Sequence, residues 1–242
     1  RPKGISSTIW KRLVSELPAI KKAIIDNNIK KIRNFIPKKL HWHLIPNYLG
    51  KIAYLDIETT GLSPDNGYIT TIAIYDGKKL HNYIRGKNLN EFPKFIEKFP
   101  AIATYYGKGF DVPFIKKELG IELPKIHFDL CFLLRRLGYT GGLKSVEKQL
   151  GIPRGDCSGL NGYAAIVLWN YYNNTNDRRY LETLLAYNNQ DVLNLEPLLY
   201  KSYNGLLEKN EYAFNKISFM KKTINQPFEP HLEIIEEILP LL

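Results

Sequence analysis

The chain has 242 residues, of which 44% are apolar, so it can bury the core of one large domain, with or without an appendage. No apolar run reaches the roughly 18–20 residues of a membrane span, and the first residues lack the apolar segment of a secretion signal, so we expect no membrane partner. The net charge of +10 is uneven, because residues 1–50 hold 11 Lys and Arg against 2 Asp and Glu, whereas the rest holds 23 against 22. This asymmetry is typical of a nucleic-acid partner, and a solvated lysine-rich helical face explains it equally well.

The N-terminal residues 1–47 are predicted to form a basic helical arm. Apolar stripes at helical spacing indicate short helices, which we expect to break at Pro18 and Pro37. The pair His41 and His43 lacks further histidine or cysteine neighbours, so packing is favoured over metal binding. Whether the arm contacts nucleic acid or packs on the rest of the chain stays open.

From Lys51 onward the pattern changes to strands and then to alternating helices and strands. The predicted strands are 52–57, 68–75, 79–84, 101–106 and 125–128. The predicted helices are 90–99, 111–119, 129–137, 143–150, 162–173 and 178–203. A three-stranded meander followed by this alternation predicts an α/β domain with a mixed sheet over residues 48–204.

Residues 205–242 are predicted as a helical tail that packs on the domain or on a partner. Its acidic amphipathic stretch 232–239 suits docking on the basic arm, and an oligomer surface is the alternative. The cysteines Cys131 and Cys157 show no metal-binding spacing, which indicates free thiols in a reducing compartment and hence a cytoplasmic protein.

Two acids interrupt the first strand. Asp56 and Glu58 are two residues apart, so they point to the same face of the strand. Burying two like charges is costly unless a cation balances them, and hard divalent ions prefer oxygen ligands. The pair therefore indicates a metal site, and a solvated strand end with two harmless acids is the alternative.

Three more polar residues follow later in the chain. Asp111 comes just after the fourth strand, where a role as the cap of the next helix competes with a role in the site. Tyr187 and Asp191 are four residues apart and share one helix face, where a surface pair is the commoner arrangement. Asp129 is read as a helix cap outside the metal set, and Trp169 as a core residue.

Taken together, these residues resemble the DEDD exonucleases of the ribonuclease-H-like superfamily over about 48–203. The four acids that carry the resemblance are Asp56, Glu58, Asp111 and Asp191. Tyr187 resembles the motif of the tyrosine subclass, and Ala186 stands where the histidine subclass has its histidine. Six ordered segments are also similar to the YprB-like group: YLDIETTGL, YIRGKNLNEF, TYYGKGFDVPF, GGLKSVEKQLGI, GLNGYAAIVLWNYY and AYNNQDVLNLEPLL. One departure is Tyr106, where the group has asparagine.

The resemblance implies a ribonuclease-H-like sheet of five strands flanked by helices, and hydrolysis of a phosphodiester at a 3′ end with two divalent ions, Mg²⁺ or Mn²⁺. It implies that Asp56 bridges both ions, that Glu58 and Asp191 bind the water-activating ion, and that Asp111 serves the second ion. Tyr187 would orient the attacking water.

The implied partner is single-stranded DNA or RNA with a 3′ end, DNA being favoured. The residues expected to contact it are Thr59, Thr60, Gly61, Leu62, Lys144 and Ser145, with Leu62 wedged against the terminal base. Helix capping and solvation are equally good explanations for Lys144 and Ser145. A non-catalytic nucleic-acid-binding protein and a structure-specific endonuclease using the same metals are the alternative functions.

Overall fold

The computed structural model describes residues 6–26, 28–157, 159–220 and 222–242. The chain divides into two compact units, of which one ends at Asn47 and the other begins at Tyr48. The finer division at residue 204 stays a prediction. Among the described residues, no helix is both long enough and apolar enough to span a bilayer.

The first unit is helical. It contains helices α1 (Ser7–Ile25) and α2 (Ile29–Phe35), the 3-10 segment Lys38–Leu44 and the start of α3 (Ile45–Tyr48). The predicted break at Pro18 is wrong, because α1 continues through it, and a proline removes only one hydrogen bond from a helix that retains its others. The break at Pro37 is confirmed, since the preceding residue Ile36 is extended, as a residue before proline prefers.

The histidines of this unit serve local structure. The Trp42 and His43 rings lie with centroids 3.8 Å apart. The Nε2 atom of His41 lies 3.1 Å from the Ile36 carbonyl oxygen. These contacts agree with the packing role expected for the pair.

The second unit is built on a mixed sheet of five strands, as predicted. The strands are β1 (Ile52–Thr59), β2 (Ile69–Tyr75), β3 (Leu80–Ile84), β4 (Ala101–Thr104) and β5 (Ile126–Asp129). Their order is β3-β2-β1-β4-β5. β1 pairs antiparallel with β2 and parallel with β4, which in turn pairs parallel with β5. The carboxyl ends of β1, β4 and β5 therefore meet at one edge, where sites of such sheets form.

Helices surround this sheet. They are α4 (Phe92–Ile96), α5 (Asp111–Leu119), α6 (Leu130–Arg135), α7 (Leu143–Gln149), α8 (Gly162–Thr175), α9 (Arg178–Lys209) and α10 (Leu232–Ile238). The long helix α9 contacts β1 and β2 along one side and α8 along another, so it connects the sheet to the helical layer. Trp169 on α8 is buried in the core, as predicted.

The acidic helix α10 packs within the second unit. The Tyr180 hydroxyl donates to the Glu237 carboxylate at 2.9 Å, and Ile234 and Ile238 are buried against α8 and α9. The described contacts of the tail thus include α8 and α9. The two cysteines are free and buried.

Candidate metal centre at the carboxyl edge of the sheet

Three of the predicted acids converge. Asp56 and Glu58 lie opposite Ala73 and Thr71 in the β1–β2 ladder, so their side chains leave the same face of the sheet. Helix α9 crosses this face and brings Asp191 to them. Each carboxylate offers one oxygen, and the three oxygens lie within 4.8 Å of one another. Oxygens this close from three acids form a set of hard ligands that suits a divalent cation.

Asp111 faces the same pocket from a different element. It is the first residue of α5, and Phe110 takes the cap position without a side-chain cap bond, so the alternative role of Asp111 as the helix cap is wrong. Its Oδ1 atom is buried and has no hydrogen-bond partner among the described residues. Asp111 stands outside the tight group of three acids, yet it lines the pocket that contains them. An orphaned buried carboxylate oxygen needs a cation or a proton.

The electrostatics of the acids suit the binding of a cation. Burial raises the pKa of Asp56 well above its usual range, and the charges of Asp191 and Asp111 raise it further. Burial and the Asp191 charge also raise the pKa of Glu58. Burial raises the pKa of Asp111 to about 7. Crowded acids with raised pKa values gain most from a divalent ion, so the residues present fit a metal site.

Asn188 orients the first acid. Its Nδ2 atom donates to Oδ2 of Asp56 at 2.8 Å, and its Oδ1 atom accepts from the Thr71 hydroxyl at 3.1 Å. Asn188 therefore connects α9, β1 and β2 and holds one oxygen of Asp56 in place. Sequence reasoning missed it, although a polar residue on the packed side of a helix and next to Tyr187 is a signal of such a role.

Sequence reasoning also missed Arg154, which forms an ion pair with Asp191. Its Nη2 atom contacts Oδ1 of Asp191, and its Nη1 atom lies 2.5 Å from Oε2 of Glu147. The Glu147 carboxylate also accepts from Nδ2 of Asn194 at 2.8 Å. Arg154 therefore fixes one oxygen of Asp191 and orients this carboxylate beside Asp56 and Glu58.

Tyr187 forms hydrogen bonds with both Lys144 and Asp191. Its hydroxyl accepts from Nζ of Lys144 at 2.6 Å. Burial raises the pKa of Asp191, and a hydrogen bond from Tyr187 opposes that rise. Burial, with the nearby charges of Asp191 and Glu58, raises the pKa of Tyr187 above its usual range. The phenol therefore stays protonated, which suits a group that donates a hydrogen bond and does not suit a general base.

Lys144 enters the pocket, whereas its neighbour Ser145 does not. Nζ of Lys144 donates to the Leu160 carbonyl and lies 4.4 Å from the centre of the Tyr187 ring. Burial lowers the pKa of Lys144. Ser145 is exposed, and its hydroxyl oxygen accepts from Nε2 of Gln149 at 3.1 Å. Only Lys144 of this predicted pair lies where it can meet a phosphate at the acids.

In the loop after β1, too, only some of the predicted residues line the pocket. Thr59, Gly61 and Leu62 line the pocket, and Leu62 is 88% exposed. Thr60 instead closes the loop, since its hydroxyl oxygen accepts from the backbone N–H of Tyr68 at 3.1 Å. A Cβ atom at residue 61 would lie 3.3 Å from the Asn66 carbonyl oxygen, so a glycine fits this loop best.

The pocket has a volume of about 680 Å³, and the four acids are among its lining residues. Besides the acids, it is lined by the aromatic residues Tyr105, Tyr106, Phe110, Tyr163 and Tyr187. Asp129 lies beside it as the first residue before α6 and accepts from the backbone N–H groups of Tyr106 and Lys108, both at 3.0 Å. A pocket lined by both acids and aromatic rings suits a ligand with both phosphate and flat apolar groups.

A family model described as the RNase_H superfamily matches residues 53–203, which is more than half of the chain. The chain therefore belongs to the RNase_H superfamily. No curated protein matches it in sequence. Within this superfamily fold, the acidic cluster offers oxygen ligands that suit divalent metal ions.

Two solved structures resemble the fold. The family B DNA polymerase from the hyperthermophilic archaeon Pyrobaculum calidifontis matches with 19% identity and a TM-score of 0.48, over 65% of this chain and 24% of its own. A structure described as the apo form of a nuclease matches with 20% identity and a TM-score of 0.45, over 67% of this chain and 75% of its own. The chain thus spans about a quarter of the polymerase. The superfamily is assigned from the family match alone.

We expect the metal-free protein to lose stability as the pH rises from about 4 to about 7 because of Asp111. Its pKa is near 3.9 when unfolded and about 7 when folded, so in this window the folded state binds a proton that the unfolded state has lost. The slope from this one group is at most about 1.4 kcal/mol per pH unit.

The measurement is urea unfolding of wild type and Asp111→Asn in EDTA across this range. As the pH rises, the unfolding free energy of wild type should fall relative to that of Asp111→Asn. Saturating Mn²⁺ should reduce this fall. Parallel profiles for the two proteins would show that Asp111 does not carry the proton.

Proposed function

We propose that this chain is a metal-dependent 3′–5′ exonuclease of the tyrosine subclass of DEDD enzymes, similar to the YprB-like group. It would act on single-stranded ends, with DNA the favoured substrate and RNA the alternative. The observation that carries the proposal is the convergence of Asp56, Glu58 and Asp191 within 4.8 Å, with the unpartnered Asp111 oxygen facing the same pocket.

The proposed ligands of two divalent ions, Mg²⁺ or Mn²⁺, follow from this placement. Burial raises the pKa of Asp56, and the charges of Asp191, Asp111 and Glu58 raise it further, so Asp56 lies near all three acids and is proposed to bridge the two ions. Glu58 and Asp191 would hold one ion, and Asp111 the other. When bound, such ions supply an activated water and neutralise charge on the leaving oxygen.

Other residues that line the pocket would position the water and the substrate. Tyr187 is a hydrogen-bond donor beside Asp191 and would orient the attacking water. Lys144, whose Nζ atom donates to the Tyr187 hydroxyl, would contact a phosphate oxygen of the scissile bond. Thr59, Gly61 and Leu62 would seat the terminal nucleotide, with the exposed Leu62 side chain against its base.

The experiment is digestion of 5′-labelled single-stranded DNA and RNA in Mg²⁺ or Mn²⁺. We expect a ladder that shortens from the 3′ end, no products in EDTA, and inhibition when the 3′ hydroxyl is replaced by a phosphate. A circular single strand is the matched control, because it has no end and should survive. Cleavage of the circle would identify an endonuclease, and binding without metal-dependent cleavage would identify a non-catalytic binding protein.

A further inference from the structure

The backbone of Tyr106 adopts an unusual conformation at the rim of the acidic pocket. Its φ angle is +61°, in the left-handed region that bulky residues rarely occupy. Asp129 holds it there, because its two carboxylate oxygens accept from the backbone N–H groups of Tyr106 and Lys108, both at 3.0 Å. Backbone strain maintained in this way is concentrated at functional sites.

The surroundings of the Tyr106 ring keep it in one place while leaving it accessible. A Cβ atom at Gly109 would lie 2.7 Å from Cζ of Tyr106, so the ring rests directly on the backbone of this glycine. The centre of the Phe132 ring is 6.2 Å away. The residue nevertheless remains 47% exposed and lines the same pocket as the acids. The chain thus presents a supported aromatic ring to whatever enters this pocket.

The neighbours of Tyr106 suggest what that ligand is. Leu62 and Tyr163 line the pocket with exposed apolar groups, and Lys108 lies exposed two residues away. Unpaired nucleobases stack on accessible aromatic rings, while nearby lysines meet the phosphates. In a duplex the bases are already stacked on one another, so this surface suits a single strand.

We propose that Tyr106 is a stacking platform for an unpaired nucleobase near the 3′ end of a strand held at the acidic pocket. This deepens the proposed function and rests on it. Asparagine adopts the left-handed conformation more readily than tyrosine does. Tyr106→Asn therefore removes the ring without adding backbone strain, and Tyr106→Phe retains the ring.

The test is the binding of a 5′-fluorescein-labelled single strand, in Mg²⁺, to full-length protein that carries Asp56→Asn to prevent cleavage. We expect Tyr106→Asn to weaken binding by on the order of ten-fold, the loss expected for one base stack. Tyr106→Phe should bind like its parent. With a strand whose 3′-terminal nucleotides are abasic, Tyr106→Asn and its parent should bind equally, because there is no base for the ring to contact.

The proposal is overturned if Tyr106→Asn binds the normal strand as tightly as its parent, or if it loses as much affinity for the abasic strand. It is also overturned if Tyr106→Phe binds as weakly as Tyr106→Asn. Thermal unfolding should give Tyr106→Asn a midpoint equal to or above that of its parent, and a lower midpoint with weaker binding to both strands identifies a structural role. If wild type cleaves single strands and Tyr106→Asn binds normally, only the platform fails. If the parent does not bind single strands and wild type does not cleave them, the proposed function fails as well.

Discussion

Replacing Asp56 by asparagine is expected to abolish metal-dependent digestion while leaving the metal-free protein at least as stable as wild type. Activity should fall by about 10³-fold or more, the scale seen when one charge-stabilising group is lost from an active site. Stability should hold because Asp56 is crowded by Asp191 and Asp111, whose charges raise its pKa. An asparagine removes this repulsion and can still accept the hydrogen bond from Asn188.

Two measurements check this pair of effects. The first is the rate of digestion of a 5′-labelled strand, and the second is the thermal midpoint in EDTA and after addition of Mn²⁺. Wild type should gain stability from Mn²⁺ by binding it in the folded state, and Asp56→Asn should gain much less. The matched control is Asp65→Asn, since Asp65 is an exposed acid paired with Lys117 at 2.5 Å and should affect neither measurement. An active Asp56→Asn protein would contradict the proposed centre.

Replacing Arg154 by methionine is expected to destabilise the protein by about 3–5 kcal/mol near neutral pH, the usual loss when one partner of a buried ion pair is removed. Arg154 lies between Glu147 and Asp191, and all three side chains are at most 8% exposed. Without the guanidinium, two buried carboxylates face each other with no cation between them. The loss should shrink at lower pH, because the Glu147 carboxylate can then take up a proton.

The matched control is Arg178→Met. Arg178 forms an exposed pair with Glu182 at 3.5 Å, so its loss should cost less than about 1 kcal/mol. The double variant Glu147→Gln with Arg154→Met should recover part of the stability, since one of the opposed charges is gone. Mn²⁺ should stabilise Arg154→Met more than wild type, because the ion then supplies the missing positive charge at Asp191. Urea unfolding measures all four proteins, and a loss below about 1 kcal/mol for Arg154→Met would show that the pair is not a supporting element of the site.

Much of the fold could be predicted from periodicity and turn residues. The predicted helix over residues 111–119 coincides with α5 (Asp111–Leu119), and each predicted strand overlaps an observed one. The prediction at Pro18 failed because a proline is a local signal, whereas a helix is maintained by all its remaining hydrogen bonds. The sequence pattern alone does not show whether the hydrogen bond lost at a proline outweighs those that remain.

The site was predictable where residue type and spacing suffice. Asp56 and Glu58 lie two apart on a strand, and Tyr187 and Asp191 lie four apart on a helix, so each pair shares a face by geometry alone. Arg154 was not predictable, because it follows α7 in a loop and no period relates a loop residue to a distant helix. Thr60 and Ser145 show the opposite limit, since adjacent residues point in different directions and only some of the residues predicted to contact the substrate reach the pocket.

Helix α9 carries some residues of the proposed chemistry and some residues of the hydrophobic core in the same few turns. Tyr187, Asn188 and Asp191 alternate there with Leu184, Val192 and Leu195, and all six are buried. A change in this helix can therefore lower the specific activity of each molecule, the abundance of folded molecules in a cell, or both at once. Selection for catalysis and selection for solubility would act on the same segment, and a loss-of-function variant found there needs its folded fraction measured before its defect is assigned to chemistry.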